Sequence, residues 1–312
     1  MTALGCISVD LDGLGHYAAI HGLDPGIVSD EARGLVHRLA VPRFAELLEG
    51  VGGRGTLFVI GAEVDAPARG PLEEVLRRGH ELASHSHAHD YALSRAAPAD
   101  IDADLGQAEA ALSGLGAPTP LGFRAPGYTL SPALLGRLAA RGYAYDASIF
   151  PAAPYWTAKA LTLGWLRLRG RRSAAILDSP RVLLAPRQPY RPDLAHPARR
   201  GDAPLLELHM SVTPRARLPF IGTFVVLAPW PMVRGAYASL RGAPFLSLEL
   251  HAVDLLGPDD GLPEALTRSQ PDLARPLSAK LSRLRQVLEW VARDFQLVPL
   301  REAARSLQAA VS

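Results

Sequence analysis

Two hydrophobic periods alternate through the first half of the chain. Residues 5–12 form a short apolar run ending in acid, which predicts a strand, and residues 41–49 predict a helix. Residues 56–60 are β-branched and aromatic and lie between glycines, the pattern of a second strand. Residues 72–78 have helical spacing and stop at Gly79, a residue suited to a left-handed C-cap. Residues 80–84 predict a third strand. Residues 98–113 open on Pro98 in the first turn and carry Ile101, Leu105, Ala108 and Leu112 at helical spacing. A further helix starts at Ser131-Pro132 and ends near Gly142. Strands alternating with helices of this length predict a parallel α/β architecture.

Beyond residue 150 the pattern loosens. Residues 205–211 and 245–251 again predict strands, and residues 280–295 predict a closing helix with Leu281, Leu284, Leu288 and Val291 on one face. The proline- and aromatic-rich stretches at 151–204 and 212–243 read as insertions in one domain spanning 1–312. The tetrapeptide Leu-Glu-Leu-His occurs twice, at 206–209 and 248–251.

Composition narrows the class. With 48% apolar residues there is material for a large core, and a formal charge of +2 gives no general attraction to nucleic acid. Lys159 and Lys280 are the only lysines, so the basic character is carried by arginine. Cys6 is the only cysteine, which excludes an internal disulfide and favours a reducing compartment. The N-terminal run leaves no room for a signal peptide, and no apolar stretch approaches the roughly 20 residues of a membrane span. A cytoplasmic protein is expected, with peripheral contact to the inner membrane face left open.

The chemistry-bearing residues are scattered along the chain. In a strand Asp10 and Asp12 point the same way, and two carboxylates so close call for a cation or a shared proton. His85 and His89 stand four apart in Ser84-His85-Ser86-His87-Ala88-His89. In a helical turn both rings face one ion, whereas in an extended segment His87 joins them and His89 is less secure. The run follows a predicted strand and so falls at a strand carboxyl end, where α/β proteins place their sites. Two imidazoles and a carboxylate suit a divalent metal, and a further carboxylate and imidazole suit proton transfer.

With these residues in view, the chain resembles the polysaccharide deacetylase family of carbohydrate esterases. Ser8-Val9-Asp10-Leu11-Asp12-Gly13 is similar to the family's first motif, Gly55 to Gly61 to its second strand, and Gly79 to His89 to its histidine motif. Phe123-Arg124-Ala125-Pro126-Gly127-Tyr128 resembles the third motif, Tyr145-Asp146-Ala147-Ser148 the fourth, and Leu248-Glu249-Leu250-His251 the last. The resemblance implies a distorted (β/α) barrel with long loop insertions and a metal at its mouth. It implies that Asp12, His85 and His89 hold the ion, with zinc expected first and cobalt or iron(II) also admitted. It implies Asp10 as general base, His251 as the acid for the leaving amine, and Arg124 as the partner that holds Asp10 ionised. Asp146 would orient the catalytic histidine, and the backbone N–H near Tyr128 would donate to an oxyanion.

The match departs from the family in two places. Gly127 separates the proline from the aromatic of the third motif, and Ile149-Phe150-Pro151 replaces the tryptophan usual after the fourth. The duplicated Leu-Glu-Leu-His leaves His209 as a rival to His251, which is favoured because it precedes the last amphipathic helix. Residues 155–166, followed by Arg167, Arg169, Arg171 and Arg172, read as an aromatic and leucine-rich helix with a basic end. It either packs on the barrel with a solvated tip or rests on anionic membrane. The function expected is a metal-dependent amidohydrolase that removes an acetyl or formyl group from an amino sugar, or from a sugar-containing small precursor that includes lipid-linked forms. Alternatives are an allantoinase-like ring amidohydrolase, an O-deacetylase, and a non-catalytic carbohydrate-binding barrel. No nucleic-acid partner is expected, and the oligomeric state is open.

Overall fold

A curled sheet of eight parallel strands carries the chain, seen in a computed structural model that describes residues 2–117, 119 and 122–308. The strands are β1 (Leu4–Asp10), β2 (Thr56–Val59), β3 (Glu81–Ser84), β4 (Gly122–Phe123), β5 (Tyr145–Asp146), β6 (Leu206–Glu207), β7 (Phe245–His251) and β8 (Gln296–Leu297). Their order is β6-β5-β4-β3-β2-β1-β7, and β8 lies on β1 beside Leu4 and Gly5. This is the parallel α/β class expected, curled into a half-barrel. The two end strands do not form a ladder. Instead the Ser211 N–H donates to the Ser247 carbonyl at 2.9 Å, and the Ser247 N–H donates to Ser211 Oγ at 2.9 Å.

Side-chain alternation sorts the sheet into two faces. Ile7, Val9, Leu57, Val59, Leu248 and Leu250 point outward. There they pack against Phe44 and Leu48 of the Val41–Glu49 helix and Leu284, Leu288 and Val291 of the Leu277–Asp294 helix. Cys6, Phe58, Ala83, Tyr145, Leu206, Leu208 and Phe245 point inward, and the floor is plugged by Leu300, Ala303 and Ala304 of the Leu300–Gln308 helix. Each fully buried leucine of this kind contributes about 1.5–3 kcal/mol relative to exposure. The inward residues nearer the strand carboxyl ends are polar: Ser8 and Asp10 on β1, Ser247, Glu249 and His251 on β7. The site therefore sits at the upper end of a core whose lower end is greasy.

Several element boundaries differ from the sequence pattern for local reasons. The helix expected at 72–78 begins earlier, at Ala66, because Asp65 Oδ1 accepts the Ala68 N–H at 3.0 Å and caps it. The strand expected at 205–211 is only Leu206–Glu207, since its ladder partner β5 is equally short. The aromatic stretch forms the Ala153–Leu168 helix, and the second irregular stretch forms the Gly222–Leu227 and Trp230–Leu240 helices. Among the described residues no helix is long and apolar enough to cross a membrane.

Candidate metal centre and proton-transfer pair

Asp12, His85 and His89 converge although the chain between the first two runs through β2 and β3. His85 Nε2 and His89 Nε2 each stand 3.1 Å from Asp12 Oδ1. His85 donates its Nδ1 hydrogen to the Arg124 carbonyl at 2.7 Å, which leaves Nε2 as the lone-pair nitrogen facing Asp12. Asp12 Oδ1 and His89 Nε2 are buried and have no hydrogen-bond partner, which is costly unless something fills the space between them. Burial alone would push the Asp12 carboxyl up, but the two imidazoles override it and hold it well below the usual carboxylate range. Burial keeps the His89 imidazole low and neutral, the form that ligates. An ionised carboxylate and two imidazole nitrogens, with Asp12 Oδ1 and His89 Nε2 orphaned, fit a divalent cation.

The histidine segment reaches this geometry by neither route that the spacing suggested. Residues 85–90 form no helix and no strand; Ser86 and His89 take left-handed backbone with φ of 64° and 51°. Ser86 Oγ accepts the His89 N–H at 3.0 Å, and the Asp104 carboxylate accepts the His87 and Ala88 N–H groups at 2.9 Å each. Asp104, on the Pro98–Ser113 helix, thus braces the turn from below. The chain passes so close that a Cβ on Gly61 would lie 2.7 Å from His87 Nδ1. Sequence reasoning missed Asp104, and only its place in the first turns of a helix was a signal.

Beside the first cluster lies a second, formed by Asp10, Glu249 and His251. Asp10 and His251 are register partners on β1 and β7, which places them side by side at the mouth. Arg124, fully buried, donates from Nη1 to Asp10 Oδ1 at 2.5 Å and to Ser8 Oγ at 3.1 Å, and its guanidinium lies 4.0 Å over the Phe58 ring. Burial pushes the Asp10 carboxyl up, and Arg124 offsets this only in part, so the carboxyl ends above the ordinary value. A carboxylate held there is a better base than a free one.

His251 is oriented by Glu249, whose Oε1 lies 2.9 Å from Nδ1. Burial would lower the imidazolium, but Glu249, with Asp10 and Asp12 behind it, raises it well above the usual histidine range. The Tyr128 hydroxyl stands 2.9 Å from His251 Nε2 and donates to Glu249 Oε1 at 3.1 Å. Asp146, given the orienting role above, is placed elsewhere. It alternates with Tyr145 and Ala147, which point inward, and its carboxylate accepts the Ser148 hydroxyl at 2.6 Å. Ser148 Oγ in turn accepts the Ala125 N–H at 2.8 Å, so Asp146 steadies the Arg124 loop and does not touch His251. The Tyr128 N–H is also spent, on the Ala125 carbonyl at 3.0 Å. What Tyr128 offers the site is its hydroxyl. Gly127 and Tyr128 both take left-handed backbone, with φ of 62° and 61°, and a Cβ on Gly127 would meet the Tyr91 ring at 2.7 Å.

His209 stands apart from these groups. It is buried, its Nδ1 lies 2.8 Å from the Met210 carbonyl, and burial pulls it down to about 4. The structure thus brings together Asp10, Asp12, His85, His89, Arg124, Tyr128 and His251, and separates Asp146 and His209 from them. Above the site is a cavity of about 180 Å³ walled by Tyr17, Tyr91, Tyr128 and Tyr155 and roofed by Lys159 and Leu163 of the Ala153–Leu168 helix.

Fold and site together define a parallel α/β half-barrel with a candidate metal centre at the carboxyl ends of its strands. A family model described as Polysaccharide deacetylase matches residues 33–145, a span that holds His85, His89 and Arg124. Among solved structures, a putative polysaccharide deacetylase from Mycobacterium smegmatis superposes with a TM-score of 0.61 at 17% identity, covering 99% of this chain and 91% of that one. Puue allantoinase superposes with a TM-score of 0.58 at 15% identity, covering 98% of this chain and 90% of that one. No curated protein matches in sequence. These findings bear out the polysaccharide deacetylase resemblance carried by the motifs, and the two structural likenesses speak to the fold.

Proposed function

We propose that the chain is a metal-dependent hydrolase that removes an acetyl or formyl group from the nitrogen of an amino sugar, free or within a small precursor. The observation that carries this reading is the adjacency of two clusters with different chemistry. Asp12, His85 and His89 suit a divalent ion, with zinc expected first, and Asp10 and His251 beside them suit a base and an acid. When bound, a divalent ion supplies Lewis acidity, which polarises an acyl carbonyl and makes water easier to deprotonate.

The residues of the chain then divide the work. Asp10, raised by burial and steadied by Arg124, takes the proton from the attacking water. His251, held protonated by Glu249, presents its Nε2 hydrogen to the cavity, where the expelled amine takes it in place of the Tyr128 oxygen. An amine leaves poorly without that proton, so the acid matters as much as the nucleophile. Four tyrosines around a cavity of only about 180 Å³ suit the face of a single sugar ring better than a long polymer.

The test is a substrate panel of N-acetyl- and N-formylhexosamines, cyclic ureides and acetyl esters, run with the metal-loaded protein and with Asp10→Asn. Turnover of an N-acyl amino sugar that falls on the order of 100-fold or more in Asp10→Asn supports the reading. Exclusive turnover of a cyclic ureide or an ester replaces the substrate class. Unchanged turnover in Asp10→Asn, or no divalent metal in freshly purified protein, overturns the mechanism.

A further inference from the structure

We infer that the outer face of the Ala153–Leu168 helix is a docking surface for an anionic lipid bilayer. Of its sixteen residues only Leu166 is buried. Leu161, Trp165 and Leu168 form a stripe along it at helical spacing and are 70%, 50% and 89% exposed. Apolar side chains this large, in one row and half or more exposed, mark an interaction surface.

Charge selects the partner. Arg167, Arg169, Arg171 and Arg172 are all exposed and cluster at the C-terminal end of the stripe, and no Asp or Glu occurs anywhere between Asp146 and Asp178. The whole chain carries a formal charge of only +2, so this is a local concentration and not a general property. The Arg169 guanidinium already lies 4.7 Å over the Trp165 ring, which joins the basic and aromatic parts into one face. A bilayer surface meets both demands at once: leucine and tryptophan enter the boundary between headgroups and acyl chains, and guanidinium groups pair with lipid phosphates. A helix of this composition lies in the interface and does not cross it.

The inner side of the same helix supplies Tyr155, Lys159 and Leu163 to the cavity over the candidate site. Docking would therefore hold the cavity within one helix thickness of the lipid surface and favour a substrate whose sugar is carried on a lipid. That consequence rests on the function proposed above; the docking does not, because its test reads no turnover.

The experiment is co-sedimentation of the full chain with phosphatidylcholine vesicles and with the same vesicles containing phosphatidylglycerol, at low and high salt. Binding to the anionic vesicles alone, weakened by salt, is expected. R167Q/R169Q/R171Q/R172Q is expected to lose about 600-fold in affinity, at about fivefold per arginine. L161S/W165S/L168S is expected to lose binding at every salt concentration. Circular dichroism melts confirm that both variants are folded, and these surface positions make no contact with the catalytic groups. Wild-type protein that stays in the supernatant at low salt, or variants that sediment like wild type, overturns the inference. So does a dimer in solution that the apolar variant dissociates, since the stripe would then serve a second copy of this chain.

Discussion

The segments 206–209 and 248–251 have the same sequence, Leu-Glu-Leu-His, and opposite fates. In β7 the leucines point outward onto helices, while Glu249 and His251 point into the mouth. In β6 and the two residues after it the leucines point inward onto Cys6, Phe58 and Phe245, so Glu207 and His209 face away from the mouth. One step of phase relative to the sheet exchanges the faces, because strand side chains repeat every two residues. Charge follows position. Glu249 lies beside His251 and Arg124 and stays below the usual glutamate value despite burial. Glu207 is pushed well above that value, by burial first and by Asp146 second. The lesson is that an imidazole becomes an acid or an inert core group through its neighbours, not through its tetrapeptide.

The sharpest way to break this comparison is to exchange the two histidines' importance. His251→Ala is expected to lower kcat by about 10²–10⁴-fold, measured on the best substrate of the panel. His209→Gln is expected to leave kcat within a few-fold, and the opposite pattern would reverse the assignment.

The next largest effect concerns stability in acid. His209 is buried and neutral, with its pKa pulled from 6.5 to about 4. Its folded value lies below its unfolded value, so the stabilisation is complete above about pH 6.5 and is lost as pH falls toward 4. At about 1.4 kcal/mol per pH unit this amounts to roughly 3 kcal/mol. Urea titrations at neutral and acid pH should show it, and His209→Gln should flatten the dependence. His251 has the opposite sign: its raised value contributes stability below about pH 6.5 that is lost as pH rises through that higher value.

The glutamates sharpen the contrast further. Removing the Glu249 charge takes away the main influence that raises His251, so Glu249→Gln should move the basic limb of the pH–rate profile down by about 1 pH unit or more. Glu207→Gln should leave that limb in place. The smallest effect is on stability. Because Glu207 already sits toward its protonated form, the isosteric amide should change the free energy of unfolding by only about 1 kcal/mol. A much larger loss would mean that Glu207 is charged in the folded protein.

Much of the site was legible in sequence because its residues sit at or just past strand carboxyl ends: β1 ends at Asp10, and Asp12 follows two residues beyond it. The histidine run could be placed, but its turn could not. Left-handed Ser86 and His89 are held by Ser86 Oγ and by Asp104, a partner no local pattern ties to them. Asp146 departs from the orienting role that the resemblance implies for a related reason: alternation within β5 turns it outward, and Glu249 occupies the position beside His251.

The amino-acid order determined the parallel α/β alternation, the outward apolar faces and the identity of the candidate ligands, because these depend on periods of two and 3.6 residues and on side-chain chemistry. Tertiary structure decided which of two identical segments faces the mouth, which carboxylate holds the acid, and which helix roofs the cavity. Those outcomes depend on strand phase and on charges brought close from distant parts of the chain, and neither is written in any local stretch of residues.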